Sequence, residues 1–351
     1  MGKTGSSTAV SFSRQCLVLL LILSLLHLPA WGWGPEGHLY INQVAARKTP
    51  REMPRFFRKG TDWIAYLGSE PDRWRDSREV SLRNAQAPDH YIDLERLEGV
   101  SQLPLERYNF YRLLYEKRGA TPGNPDTLLP ESVGLQPYIT MEVYERLRAS
   151  FREYRALKQE NKRTEEVEKK IVFYAGWLGH YVGDGSQPLH TTIHYNGWVG
   201  ENPNQYTTDP NTHRQFETAY VGANLHARDF QDLVHAPVRL ADPFADYLKY
   251  LRESQHLVEE FYRLEKTGAF AGWGTAEGRE FTLRRLAAGS QMLLDLWYTA
   301  WLESAEPPPP QPPAAPGTAP PPKFPLAPQP ATPPPPLLPL KPPATAPAPP
   351  Q

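Results

Sequence analysis

Apolar residues in this chain recur at helical spacing in several long stretches and almost nowhere alternate. That period of about 3.6 constrains the fold more than any other feature, because a helix-period pattern cannot place one face of a strand in a core. The expected helices cover residues 36–47, opened by Pro35 in a position suited to a first turn, then 54–67, 141–158, 164–182, 242–266 and 278–302. Between them run long irregular links at 76–104, 119–137 and 187–211, and links of that length in a helical domain are usually functional or metal-bound. The expected fold class is therefore all-α, a single mainly helical domain with long metal-binding loops. No internal repeat is visible.

Both ends depart from this pattern. The start is weakly basic (Lys3, Arg14), continues as an apolar run from Cys16 to Leu26 with seven leucines, and reaches Ala30-Trp31-Gly32. This is the layout of a secretory leader over residues 1–32, cut after Gly32. A run of about 11 residues is too short for a hydrocarbon core that needs roughly 20, so a permanent anchor is the weaker reading. The expected location is secreted or periplasmic. Cys16 is the only cysteine, so the processed chain would have no disulfide and must be held by its core or by metals, which couple directly to folding. Residues 306–351 contain 23 of the 39 prolines and read as an extended tether or spacer. What remains, residues 33–305, is enough for one sizeable core. The net charge of −1 gives no electrostatic reason for a nucleic-acid partner, although a local basic groove remains open.

The histidines and carboxylates carry the chemistry. His180 and Asp184 stand four apart at the end of an otherwise apolar helix, so both side chains leave the same face and reach one cation. His190 follows after Gln187-Pro188-Leu189 has ended that helix, so it can approach from another side. His213 and Glu217 repeat the four-residue pairing on another helix start. Any one of these pairs alone reads as a hydrogen-bonded helix histidine or an ion pair. Two pairs within 38 residues, with His190 between them, read as a site for zinc, which takes imidazole and carboxylate without needing thiolate. Two such metals about 3.5 to 4 Å apart clamp the oxygens of a phosphoryl group undergoing in-line displacement. A cut after Gly32 would also free the α-amine of Trp33, five residues before His38. Either that amine, its carbonyl and His38 hold a metal, or Trp33 and His38 only pack.

Trp33-Gly-x-x-Gly-His38, Asp72 in Pro-Asp-Arg-Trp-Arg, His90 in Asp-His-Tyr-Ile-Asp, His180-x-x-x-Asp184-x-x-Gln-Pro-Leu-His190 and His213-x-x-x-Glu217 together resemble the superfamily of zinc-dependent phospholipases C and single-strand nucleases of the S-one and P-one type. The resemblance spans residues 33–217. It implies three zinc ions: one on Asp72, His90, His180 and Asp184; a close neighbour on His190, His213 and Glu217; and a third on the Trp33 amine and carbonyl with His38, bridged by Asp184. Asp72 is taken over the nearby Asp62, Asp76 and Asp89 because Asp72-x-x-Arg75 looks like the nuclease pattern. The resemblance implies hydrolysis by a zinc-bridging hydroxide, with Asp72 orienting it or accepting its proton. Arg75 is either a phosphate ligand or a surface arginine.

The same motifs divide over substrate. The five-residue step from Trp33 to His38 resembles the nucleases, whereas Glu217 resembles the phospholipases, since fungal nucleases carry Asp there as well as disulfides. The start motif is weighted more heavily, so the expected function is a bacterial-type nuclease hydrolysing single-stranded DNA or RNA. A phospholipase C acting on headgroup esters is the alternative, and a non-catalytic zinc-stabilised binding protein the minor one. A nuclease needs an aromatic platform for an unstacked base, for which Tyr91, Trp198 and Tyr206 are candidates; Tyr91 reads equally as core. No stable protein partner is implied.

Overall fold

In the computed structural model every regular element among the described residues, 33–75, 78–120 and 125–307, is helical, and none is a strand. The segment expected to be a leader (1–32) and the proline-rich segment beyond residue 307 lie outside the described residues. The principal helices are α1 (Gly34–Arg47), α2 (Thr61–Leu67), α3 (Glu70–Arg75), α4 (Val80–Gln86), α5 (Arg107–Ala120), α6 (Gln136–Gln159), α7 (Glu165–Ser186), α8 (Pro243–Gln255), α9 (Val258–Lys266) and α10 (Ala276–Glu303). Among the described residues, no helix is long and apolar enough to cross a membrane.

Helix α7 is the centre of the packing, and its sequence explains why. Three glutamates occupy its first turn, where the helix dipole favours negative charge. Its second half is buried continuously from Leu178 to Ser186, so no face is left for water. Helices α1, α2, α6 and α10 pack around it. Asn42 of α1 pins three of these elements together, donating through Nδ2 to the carbonyls of Ile64 (2.9 Å) and Gly176 (3.0 Å). The approach is close enough that a Cβ on Gly183 would lie 2.9 Å from His38 Nδ1, so only glycine lets α1 bring that imidazole up to α7.

Several expectations need correction; the helix expected over 54–67, for one, is broken at Gly60. The link at 76–104 contains α4 and two 3₁₀ turns, and α4 buries none of its residues, so it offers no apolar stripe to read. Helix α5 was not expected either: aromatic residues sit on both of its faces, Phe110 buried and Tyr108 and Tyr115 exposed, which blurs the period. The helix expected over 242–266 is broken after Gln255, so that α8 packs on α6 and α7 while α9 covers the turn at Pro188–His190.

Candidate metal centre

The last two turns of α7 present His180 and Asp184 as their spacing requires, with Nε2 and Oδ2 3.3 Å apart. Three other elements converge on that pair. Helix α1 brings His38, whose Nε2 lies 3.3 Å from Asp184 Oδ1 and whose ring stacks on His180 at 4.1 Å. Helix α3 brings Asp72, with Oδ1 3.8 Å from His90 Nδ1 and 3.9 Å from His180 Nε2. The 3₁₀ turn Ala87–His90 ends on His90, whose Nδ1 is 3.1 Å from Asp184 Oδ2. All five side chains are buried. Of the other aspartates weighed against Asp72, Asp62 is exposed, Asp89 faces Arg107 at 3.4 Å, and Asp76 lies outside the described residues.

A second group, His190, His213 and Glu217, stands beside the first. His190 closes the 3₁₀ turn Pro188–His190, and Gln187 shapes that turn by accepting from Leu189 N (2.7 Å) while donating to Glu217 Oε2 (3.2 Å). His213 Nε2 and Glu217 Oε2 are 2.6 Å apart. Glu217 lies in a π-helical stretch, Gln215–Tyr220, rather than in a continued α-helix; such widened turns recur at functional sites. Gly34, at φ +60, brings the first turn of α1 against this stretch, where a Cβ would meet the Glu217 carbonyl at 3.1 Å. Asp184 joins the two groups, its Oδ1 lying 3.8 Å from His190 Nδ1.

These side chains fit divalent cations. Ligand atoms of His38, His180 and Asp184, of Asp72, His90 and His180, and of His190, His213 and Glu217 form three mutually close buried sets. Both nitrogens of His38, both oxygens of Asp72, Asp184 Oδ1, His90 Nε2, His190 Nε2, both nitrogens of His213 and Glu217 Oε1 are buried without a hydrogen-bond partner. Such atoms ordinarily number a few per hundred residues and lie scattered, so ten gathered at one place suit a set of metal donors. The tautomers agree: His180 Nδ1 donates to the Gly68 carbonyl (2.7 Å) and His190 Nδ1 to the His90 carbonyl (2.6 Å), which leaves Nε2 of each as a lone-pair donor. Burial works against the Asp184 carboxylate, but His180 and His190 outweigh it and hold its pKa well below the usual range. Glu217 is likewise held low, by His213 and His190 against burial.

The centre opens into a cleft of about 820 Å³ whose walls include Arg75, Arg83, Tyr91, Asp93, Arg96 and Tyr195. Arg75 Nη2 lies 3.8 Å from Asp72 Oδ1. Tyr91 flanks the cleft and is anchored by its hydroxyl, which donates to the Glu131 carbonyl (2.5 Å). Trp198 and Tyr206 are not cleft residues: Trp198 stacks on His194 at 3.9 Å and both rings pack against Tyr262 of α9. Their loop folds back on α9 instead of the centre. Sequence reasoning missed Tyr195, Arg83, Arg96 and Asp93. Only Asp93 carried a signal, standing two residues after Tyr91 in the His90 motif. Trp33 is fully buried, its indole Nε1 donating to Gly183 O (2.8 Å) and Ser186 Oγ (2.7 Å).

No protein-family model matches the sequence, and no curated protein sequence matches it. Among solved structures it is similar to the alpha toxin of Clostridium absonum (12% identity, TM-score 0.40, covering 77% of this chain and 64% of that one). It is also similar to the Clostridium perfringens alpha toxin of avian strain SWCP (14% identity, TM-score 0.36, covering 78% and 65%). The chain thus spans slightly less than two thirds of the length of either.

Proposed function

We propose that this chain is a zinc-dependent phosphodiester hydrolase, exported and cut after Gly32. The observation that carries the reading is the convergence of three buried, partner-poor donor sets at the foot of a cleft lined by arginines. One zinc would be held by Asp72, His90, His180 and Asp184, a second by His190, His213 and Glu217, and a third by His38 and Asp184 with the freed amine and carbonyl of Trp33. Bound zinc supplies Lewis-acid polarisation of the phosphoryl group and lowers the pKa of water. The chain's own residues do the rest. Asp72, buried and hydrogen-bond-poor, orients the attacking water and takes its proton. Arg75, facing both Asp72 and the cleft, donates to the phosphoryl oxygens as their charge grows. Burial of the centre excludes bulk water and strengthens each of these contacts.

Two substrate classes present that ester. Single-stranded nucleic acid is favoured by the rings of Tyr91 and Tyr195 beside two buried acceptors without partners, Asp93 Oδ1 and Asn196 Oδ1, which suit a base face and its edge donors. Phospholipid is favoured by the exposed Val80 and Leu82 on α4, the helix that brings Arg83 to the rim, and by the same rings and the Asp93 carboxylate, which suit an ammonium headgroup.

The test is to assay protein beginning at Trp33 on single-stranded DNA, RNA and phosphatidylcholine, each after chelation and after zinc is restored. Zinc-restored cleavage of any of the three supports the hydrolase, and which one is cut assigns the substrate. A zinc-loaded protein that cuts none of them would leave the zinc-stabilised binding protein as the reading. A version with extra residues before Trp33 should lose one zinc and most activity.

A further inference from the structure

Arg285 of α10 is buried, 9% exposed, yet among the described residues no carboxylate lies within 4.0 Å of its guanidinium. A buried cation without a counter-ion is costly, so its neighbours must supply the compensation. Its Nε donates to the Ser186 carbonyl (2.8 Å) and its Nη2 to Ser254 Oγ (2.9 Å). Ser186 is the last residue of α7, the helix that carries His180 and Asp184. The end of a helix leaves carbonyls without intrahelical partners and bears partial negative charge. Here that end is buried, and side chains serve the carbonyls of its last two turns, apart from Asp184 O, which accepts from Gln187 N. Gln136 and Tyr247 serve Tyr181 O (2.5 and 3.1 Å), Tyr250 serves Val182 O (2.6 Å), Trp33 serves Gly183 O (2.8 Å) and Ser254 serves Gly185 O (2.6 Å). Arg285 completes the set at Ser186 and is its only charged member.

We infer that Arg285 is a positioning residue for the metal centre: its guanidinium fixes the exit of α7 and so sets where the chain leaves Asp184 and turns back through Gln187 to His190. Only four peptide units link Ser186 to His190, so a shift at the Ser186 carbonyl is passed directly to the His190 ring and to its separation from Asp184. Ser186 also accepts from the Trp33 indole through its Oγ (2.7 Å), which ties the entry of α1 to the same strut.

This inference rests on the reading of the site as a zinc centre, and the experiment separates the two. Zinc affinity is measured by competition with a chromophoric chelator on wild type, Arg285→Met, Arg285→Lys and Arg155→Met, at a temperature where circular dichroism shows each folded. Arg155 is a matched control, since it makes the same kind of contacts at the end of α10, with Ser304 Oγ (2.8 Å) and the Trp301 carbonyl (2.9 Å), away from the centre. R285M should bind zinc about 10- to 100-fold more weakly, the range typical of outer-shell partners of metal ligands. R285K, which keeps the charge but not the forked donors, should fall between it and wild type. R155M should lose thermal stability but keep wild-type affinity. Wild-type affinity in R285M, or in R285K should R285M fail to fold, overturns the positioning role, as does equal weakening in R155M. A wild type that binds no zinc would instead sink the metal-centre reading.

Discussion

The two groups of the centre offer similar donors and are built differently. His180 and Asp184 sit on the continuously buried half of α7, with His38 delivered by a second helix, and their geometry follows from the helical repeat. His190, His213 and Glu217 stand on a 3₁₀ turn and a π-helical stretch, held by Gln187 and by backbone contacts such as His190 Nδ1 to His90 O. Helix packing sets most of the first group, with His180 Nδ1 also donating to the Gly68 carbonyl, whereas hydrogen bonds of the two turns set the second. Asp184, which lies within 4 Å of His38, His90, His180 and His190, is the one side chain that belongs to both.

The strongest way to break this contrast is to remove the shared side chain. Asp184→Ala should lose at least two zinc equivalents by elemental analysis and on the order of 10³-fold in phosphodiesterase activity, a loss comparable to removing preorganised charge from an active site. Glu217→Ala should lose a single equivalent. If both variants lose the same number, the groups are one cooperative site and the division fails.

In the chelated protein, pH should set the groups apart through histidines that titrate in opposite directions. Burial disfavours the His190 cation, but Asp184 and Glu217 outweigh it and push its pKa up to about 9. Its cation therefore adds stability that is complete below the unfolded value of about 6.5 and is lost as pH rises through about 9. For His90, burial and then the Arg75 charge lower the pKa to about 4. The folded state there refuses a proton that the unfolded chain accepts, so stability is lost as pH falls from about 6.5 towards about 4. Melting curves of the zinc-free protein should show both limbs, with His190→Gln flattening the alkaline one and His90→Gln the acid one. A single variant that flattens both would show that the two histidines titrate as one unit.

These differences also explain how much could be read in advance. The pairing of His180 with Asp184 is legible because the apolar period places both on one face of a helix, and the all-α class follows from the same period. The approach of His190, the π-helical setting of Glu217 and the selection of Asp72 among neighbouring aspartates depend on contacts between distant segments; the family resemblance, and no local pattern, pointed to Asp72. The cleft walls were the least legible part. Trp198 and Tyr206 are close to ligands along the chain and were natural platform candidates, but their loop spends them on Tyr262, and the cleft takes Tyr195 instead. Arg83 was hidden for a related reason, since α4 buries nothing and so has no period to reveal it.

A smaller effect sharpens the comparison at the entry to α1, where Trp33 braces the helix-borne group. Trp33→Phe keeps the apolar ring but leaves Gly183 O and Ser186 Oγ without their indole donor, although Ser186 Oγ still donates to Gly183 O (2.8 Å). Loss of a buried hydrogen bond of this kind costs about 1–3 kcal/mol. That corresponds to a melting temperature lower by roughly 2–4 °C per kcal/mol in a domain of this size. The shift should persist in the chelated protein, because the brace is part of the fold and does not require metal. A shift seen only with zinc present would mean that the indole serves the centre alone.

The smallest expected effect lies at the cleft rim, outside both groups. Arg83 is exposed and lines the cleft from a helix with no buried residue, so Arg83→Ala should leave folding and zinc content unchanged. An exposed charge contact with a phosphodiester is worth up to about 1 kcal/mol, which is roughly fivefold in KM with kcat preserved. The effect should shrink as salt is added, since an exposed contact is screened over about 10 Å at 0.1 M ionic strength. A fall in kcat of the same size would instead place Arg83 against the reacting phosphate, and the cleft would then have to close over substrate, bringing α4 to the metal centre.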